Sequence, residues 1–405
     1  MTHTTPFTIG GIAALELVAE YGTPIYVYDG NRIQAQYQRL KNAFAGIDFH
    51  IKYACKANTN LSILRLLRSE GAGLDTVSIE EVQTGLRAGY EPREILFTPN
   101  SVSFEEIREA VKLGVCINID NISILEQFGS EYGGTVPLCL RINPHIVGGG
   151  HHEIQTGHID SKFGVSIHQL RHAARVVKAT GIHVEGVHMH TGSDIKETSV
   201  FLRGLEVLLD VAMDFPDLRY IDYGSGFKVA YQEGDIVTDI EELGTEVAAR
   251  FKAFCTAYGK PLELWTEPGK FLVSEAGYFL TSVNVLKQTI SATFAGINSG
   301  MNHLLRPKLY DAYHHIVNVS NLDGVQRVYT VVGYICETDT FGWDRKLGEV
   351  RVGDVLCFLN AGAYGFSMAS NYNSRFRPAE VLVVDGTHRL IRRAETLDDL
   401  LRLQM

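Results

Sequence analysis

The sequence predicts a (β/α)8 TIM-type barrel followed by a C-terminal all-β domain, and three observations carry that expectation. From about Phe49 short β-branched and aromatic runs alternate with longer stretches of helical periodicity, the order of parallel strands joined by crossover helices. Eight such strand-then-helix units precede Ala276, and eight is the number that closes a parallel sheet on itself. Beyond Ala276 the helical pattern gives way to strand-like runs between turn-rich stretches.

Taken in order, the strand-like runs begin near His50, Gly73, Ile95, Val115, Val136, Val184, Arg219 and Leu262. Between the first of them, Leu61 to Ser69, Ile79 to Ala88 and Ser103 to Lys112 carry apolar residues at helical spacing. Later runs, Tyr278 to Leu286, Tyr329 to Cys336, Val355 to Leu359 and Val381 to Val384, read as strands of the second domain. The early run Ile25 to Tyr28 is assigned to them. This places a barrel over residues 30–275 and a β-sandwich or β-barrel domain over 276–405, with the N-terminal strand of 1–29 added to it.

Composition narrows the function classes. A chain of 405 residues with 45% hydrophobic and 21% charged content is long enough for two domains. Its net charge of −10 leaves no basic excess for a phosphate backbone, so nucleic acid is not expected as a partner. Met1 to Gly10 is neither basic nor apolar, and no run approaches the roughly 18 apolar residues of a membrane span. A cytoplasmic protein is expected. Cys55, Cys116, Cys139, Cys255, Cys336 and Cys357 form no C-x-x-C pair, which argues against a zinc ribbon and a disulfide framework and for buried thiols.

In such a barrel chemistry sits at the carboxyl ends of the strands, so the polar residue closing each apolar run is the one to question. Those residues are Lys56, Asp75, Arg141 with Asn143, His188 with His190, Gly224 to Gly226, and Glu267. Strand alternation puts Lys52, Ala54 and Lys56 on one face. Desolvation of a lysine there lowers its pKa and frees the amine to form a Schiff base; the bland alternative is a surface lysine. The glycine turns Asp222 to Phe227 and Glu267 to Lys270 offer backbone amides to an anion, in the place where barrel phosphate sites recur, although a lone G-x-G is more often a plain turn. Glu267 could face a pyridine nitrogen and His190 could lie flat against the ring. The His188–His190 spacing would equally serve a metal-dependent hydrolase. Pro144 to Phe163, with His145, His151, His152, His158 and Gly148 to Gly150, reads as a mobile lid, a histidine-rich metal loop being the alternative.

The residues together resemble the alanine-racemase-like barrel enzymes that bind pyridoxal phosphate and, within them, the diaminopimelate decarboxylases. The resemblance runs over nearly the whole chain through Tyr21 to Asp29 (YGTPIYVYD), Tyr53 to Asn58 (YACKAN), His190 to Ser193 (HTGS), Glu267 to Lys270 (EPGK), Arg306 to Tyr310 (RPKLY), Cys336-Glu337 and Gly362 to Met368 (GAYGFSM). It implies a pyridoxal 5'-phosphate-dependent carboxy-lyase that turns meso-2,6-diaminopimelate into L-lysine and CO2, the last step of lysine biosynthesis. It further implies that Lys56 carries the cofactor, that His190 stacks on the ring and that Glu267 pairs with its nitrogen. Asp75, Ser193, Gly226, Pro268, Gly269, Lys270 and Tyr364 would complete the cofactor site. Arg306, Tyr310, Lys270 and Tyr364 would bind substrate, with Glu337 at its distal amino group. In similar enzymes the cysteine matching Cys336 comes from the second subunit of a homodimer and helps protonate the product. The chain departs from the family at Lys270, where arginine is usual, and at Thr338-Asp339-Thr340, where serine and glycine are more common. A decarboxylase of ornithine, lysine or carboxynorspermidine is the nearest rival, but a related diamine-forming enzyme has no need of both Arg306 and a second cation. A non-catalytic relative is opposed by the joint presence of Lys56, Glu267 and Cys336.

Overall fold

The computed structural model describes residues 5–146 and 160–405. Two compact units are found, one of Gln36–Val229 with Ile236–Phe271, the other of Met1–Ala35, Ala230–Asp235 and Leu272–Met405.

In the first unit the parallel strands are β1 (Phe49–Ala54), β2 (Gly73–Thr76), β3 (Ile95–Phe97), β4 (Cys116–Ile119), β5 (Leu138–Asn143), β6 (Val184–Met189), β7 (Tyr220–Asp222) and β8 (Glu263–Thr266). They pair in sequence order, and β8 pairs with β1, so the described residues form a closed (β/α)8 barrel. Each strand begins within two residues of its expected start. Helices cover the outside, so both faces of the sheet are buried and the strands read as continuous apolar runs. A further two-residue strand, Val165–Ser166, pairs beside the end of β5; two residues give no pattern to read in the sequence.

The crossover helices start and stop where their sequences say. Asn60, Ser78, Ser103, Asn121 and Asp239 each accept a backbone N–H of the first helical turn. Gly89, Gly114, Gly181 and Gly259 end helices in the left-handed conformation.

Within the barrel Leu96, Cys116, Cys139, Tyr220 and Trp265 form an apolar cluster, with the Tyr220 and Trp265 rings stacked at 3.6 Å. Lys52 is threaded into it. Its Nζ lies 4.0 Å from the Trp265 ring centre and donates to the Glu94 carbonyl at 3.2 Å. Gly73, its neighbour on β2, leaves the room: a Cβ there would fall 2.6 Å from Lys52 Cδ. Burial pushes the Lys52 ammonium down. Desolvation therefore falls on Lys52 rather than on Lys56, whose side chain is 39% exposed.

The second unit is built on a sheet in the order Thr340–Gly348, Gln326–Val332, Thr293–Ile297, Gly277–Gln288, Ile25–Asp29, Ala379–Val384 and Thr387–Arg392. Val355–Phe358 adds to Gly277–Gln288 and carries Ile316–Asn318. The N-terminal strand Ile25–Asp29 is central, antiparallel to Gly277–Gln288 and parallel to Ala379–Val384. Ile25, Val27, Leu280, Val355, Cys357, Val381 and Val383 form its core.

One expectation about this sheet is corrected. The run Tyr329 to Cys336 stops being a strand at Val332, because the Asp339 carboxylate takes the N–H groups of Met301 (2.8 Å) and Ile335 (3.0 Å) and bends residues 333–339 into a loop. The edge strand Thr387–Arg392 was not anticipated either, since it is polar and largely exposed.

All six cysteines are free thiols, and four are buried; Cys255 is half-buried and Cys336 exposed. Among the described residues no helix is long and apolar enough to cross a membrane.

Candidate active site

The carboxyl end of the barrel gathers Lys56, Asp75, His188, His190, Asp222 and Glu267. Lys56 follows β1 in a short 3-10 turn, Cys55–Ala57, and its Nζ donates to Asp75 Oδ2 on β2 at 2.7 Å. Asp75 is buried, and its Oδ1 has no hydrogen-bond partner among the described residues. What marks Lys56 is thus a buried carboxylate that fixes its amine, not a dry environment.

Glu267, directly after β8, is reached from two strands away. Asn118 Nδ2 on β4 lies 2.9 Å from His188 Nδ1 on β6, and His188 Nε2 lies 3.1 Å from Glu267 Oε2. Glu267 Oε1 is buried and has no partner among the described residues. Burial pushes the Glu267 carboxyl up, but His188 and then Lys56 outweigh it and hold it down at about 2. Its two carboxyl neighbours go the other way: burial, and then Glu267 itself, raise both Asp75 and Asp222. One fixed anion with two reluctant ones beside it is the outcome expected of like charges sharing a site. The half-buried His190 is pushed down to about 3 by desolvation and by Arg141, so its ring is neutral.

Three turns interlock below these groups. Glu267 N donates to the Gly224 carbonyl at 2.8 Å, Ile195 N to the Gly226 carbonyl at 3.0 Å, and Gly224 N to Asp222 Oδ1 at 2.9 Å. Gly226, at φ +122°, could not carry a side chain, because a Cβ would lie 2.5 Å from the Gly192 carbonyl. The expected result for Gly226→Ala is a cofactor dissociation constant raised about tenfold or more, from roughly 1–3 kcal/mol of strain in the cradle. Titration of cofactor-stripped protein measures it, and unchanged affinity would remove this turn from the site. Lys270, after Gly269, is not an open cation: its Nζ donates to Asp194 Oδ1 at 2.6 Å.

Sequence reasoning did not reach Asn118, Asp222 or Asp194 as site residues. Asn118 left a signal, the one polar residue inside the run Cys116–Ile119. Of the expected site residues, Lys56, Asp75, His190, Ser193, Gly226, Glu267, Pro268, Gly269 and Lys270 lie in the barrel unit, whereas Arg306, Tyr310, Cys336, Glu337 and Tyr364 lie in the other. The histidines of the expected lid, His151, His152 and His158, fall outside the described residues, as do Gly148 to Gly150. His145 is described; its N–H donates to Asn143 Oδ1 at 3.0 Å and its ring lies 5.0 Å from that of His168.

The metal alternative gains one geometric point. His188, Asp222 and Glu267 present ligand atoms within 4.8 Å of one another. Both His188 nitrogens are already engaged, however, and Asp222 is held toward its protonated form. His190 is not part of the group.

A barrel with a fixed lysine, a buried anion open on one oxygen, a neutral imidazole and a glycine cradle has what a pyridoxal-dependent decarboxylase requires. The family model for the pyridoxal-binding domain of pyridoxal-dependent decarboxylases matches residues 30–274. A curated diaminopimelate decarboxylase of Methanothermobacter thermautotrophicus is 42% identical over 98% of this chain and 95% of its own length. That of Pseudomonas aeruginosa is 37% identical over 96% and 94%. A crystal structure of diaminopimelate decarboxylase from Helicobacter pylori complexed with L-lysine superposes with a TM-score of 0.88 at 34% identity, covering 96% of this chain and 98% of that one. The chain belongs to the pyridoxal-dependent decarboxylases and, within them, to the diaminopimelate decarboxylase family.

Pyridoxal phosphate fits the residues present. Glu267 Oε1 is an orphaned buried acceptor for a protonated ring nitrogen, and the Gly224–Gly226 turn is a cradle that side chains would fill.

Proposed function

We propose that the chain decarboxylates meso-2,6-diaminopimelate to L-lysine and CO2 as a pyridoxal 5'-phosphate-dependent carboxy-lyase, working as a homodimer. The relatives' names and the lysine held by the Helicobacter pylori enzyme support the substrate and product. The observation that carries the reading within this chain is Arg306. It is 7% exposed, its Nε has no hydrogen-bond partner, and among the described residues no carboxylate lies within ion-pair distance of it. Its Nη1 donates to the Ala363 carbonyl at 3.5 Å, and its Cζ lies 5.3 Å from the centre of the Tyr231 ring. A buried guanidinium without an anion is costly, and a bidentate carboxylate relieves it. Diaminopimelate brings such a carboxylate at its distal end; ornithine and lysine do not.

When bound, the cofactor supplies a sink for the electron pair left as CO2 departs. Lys56 would hold it through Nζ, with Asp75 fixing the amine. Glu267 supplies a charge that is in place before reaction begins, steadied by His188 and Asn118. By likeness to the family, Ser193, Gly226, Pro268 and Gly269 would take the phosphate end. Lys270, which the family likeness assigns to the distal carboxylate, would bind it only in competition with Asp194. Tyr310 and Tyr364 complete the substrate pocket. By likeness to the family, the partner subunit's Cys336 gives a proton from Sγ to the carbon that has lost CO2, and the partner subunit's Glu337 faces the distal amino group.

A substrate panel scored by CO2 release tests the reading. Diaminopimelate should exceed ornithine, lysine and carboxynorspermidine. Arg306→Ala should raise KM for diaminopimelate roughly 10- to 100-fold, the loss of a charge-assisted hydrogen-bonded pair. An unchanged KM would count against the substrate.

A further inference from the structure

The loop carrying Cys336 and Glu337 is docked residue by residue against the turn around Tyr372–Ser374. Arg375 stacks over Tyr334 at 3.9 Å, Asn373 meets Cys336, and Tyr372 Oη donates to Glu337. Each segment also has hydrogen bonds of its own. Residues 333–339 are bent by Asp339, as described above, and the turn is anchored by Asn371, whose Nδ2 donates to the Arg375 carbonyl at 3.0 Å and to Glu395 at 2.6 Å. The Arg377 guanidinium binds the same Glu395 carboxylate at 2.7 Å.

The Asn373 amide offers the thiol both of its ends. Nδ2 lies 3.3 Å from Cys336 Sγ and Oδ1 lies 3.7 Å from it. A thiol that gives up its proton needs an acceptor for S–H before the transfer and a donor to S⁻ after it. A carboxamide can be either without moving. Tyr372 does the complementary task at the next residue. Its phenol stays protonated, raised by the hydrogen bond to Glu337 and by that carboxylate's charge, and it ties down the anion closest in sequence to the sulfur.

We propose that Asn373 is a positioning residue for Cys336, aiming the S–H through Oδ1 and holding the thiolate through Nδ2–H once the proton has left. The inference rests on the assignment of Cys336 as proton donor. In that step the S–H bond breaks, its electron pair stays on sulfur, and a C–H bond forms at the carbon that lost CO2. The thiolate then recovers a proton from solvent.

Asn373 sits at φ +56°, where glycine is at ease and asparagine and aspartate are tolerated, so two variants separate chemistry from folding. Asn373→Gly removes the amide without backbone strain. Asn373→Asp keeps the shape but replaces the donor with a negative charge. The measurement is the rate of iodoacetamide alkylation of Cys336 in the holoenzyme at pH 7.5, read from its peptide by mass spectrometry. The rate should fall about threefold in the glycine variant and about tenfold or more in the aspartate variant, as expected for losing and then reversing a hydrogen bond to a charged atom. The turnover number should fall in the same order, with KM for diaminopimelate little changed. Equal alkylation rates in all three proteins overturn the proposal. Full turnover by Cys336→Ala would sink the donor assignment instead, and the alkylation order would still decide whether Asn373 holds the thiolate.

Discussion

Lys56→Ala is expected to lower turnover by on the order of 10³-fold or more, because it removes both the covalent hold on the cofactor and an amine that moves protons. Borohydride reduction of the wild-type holoenzyme should place the cofactor on the peptide containing Lys56, and a label on any other lysine would refute the assignment. Lys52 is the informative competitor, only four residues earlier. It is enclosed against Trp265 and Gly73 and should stay unlabelled. The variant also has a pH signature. Burial and Glu267 already raise the Asp75 carboxyl, and Lys56 is the main group opposing them. Without Lys56 the folded state takes up a proton at pH values where the unfolded chain has lost it, so the variant gains stability relative to wild type as pH falls. Thermal midpoints of the cofactor-free proteins at pH 5 and pH 8 measure this, and a deficit that does not widen at pH 8 contradicts it.

Glu267→Gln is expected to lower turnover about 10²- to 10³-fold while most of the cofactor is retained, since a neutral amide cannot supply the charge that acts on the ring. Retention follows from Lys56 and the glycine cradle, which the change does not touch. Wild-type pH behaviour follows from the depressed carboxyl. Its stabilising effect is fully present above the ordinary value of 4.5 and is lost only as pH falls through about 2. An acid limb of activity between pH 5 and 7 must therefore come from another group and should persist in Glu267→Gln. A variant that keeps more than about a tenth of wild-type turnover would show that the charge is dispensable.

Much of the site was legible because barrel chemistry collects at strand ends. Lys56, Asp75, His188, His190 and Glu267 each close an apolar run, and the periodicity that located the strands located them too. The support behind them was not legible. His188 and Glu267 are 79 residues apart, and Asn118 and His188 are 70 apart; these pairs meet only because the sheet closes. Lys270 and Asp194, 76 residues apart, neutralise each other for the same reason. Lys52 and Lys56 look alike in the run HIKYACKAN, yet the fold buries one against an indole and leaves the other at the rim.

The second unit shows the same limit. Its apolar core strands could be read, but the polar edge Thr387–Arg392 and the bend at residues 333–339 could not. The bend depends on Asp339 reaching back to the amide of Met301, a contact no local pattern announces. What the sequence determined by itself was local: the period of each run, the capped ends of the helices, and the residue types placed at strand ends. Tertiary structure alone decided which of those polar groups share a low-dielectric space. There burial and neighbouring charge hold Glu267 as an anion and push Asp75 and Asp222 toward their neutral forms. Charge state depends on distance through space, and sequence separation says little about that until the barrel has closed.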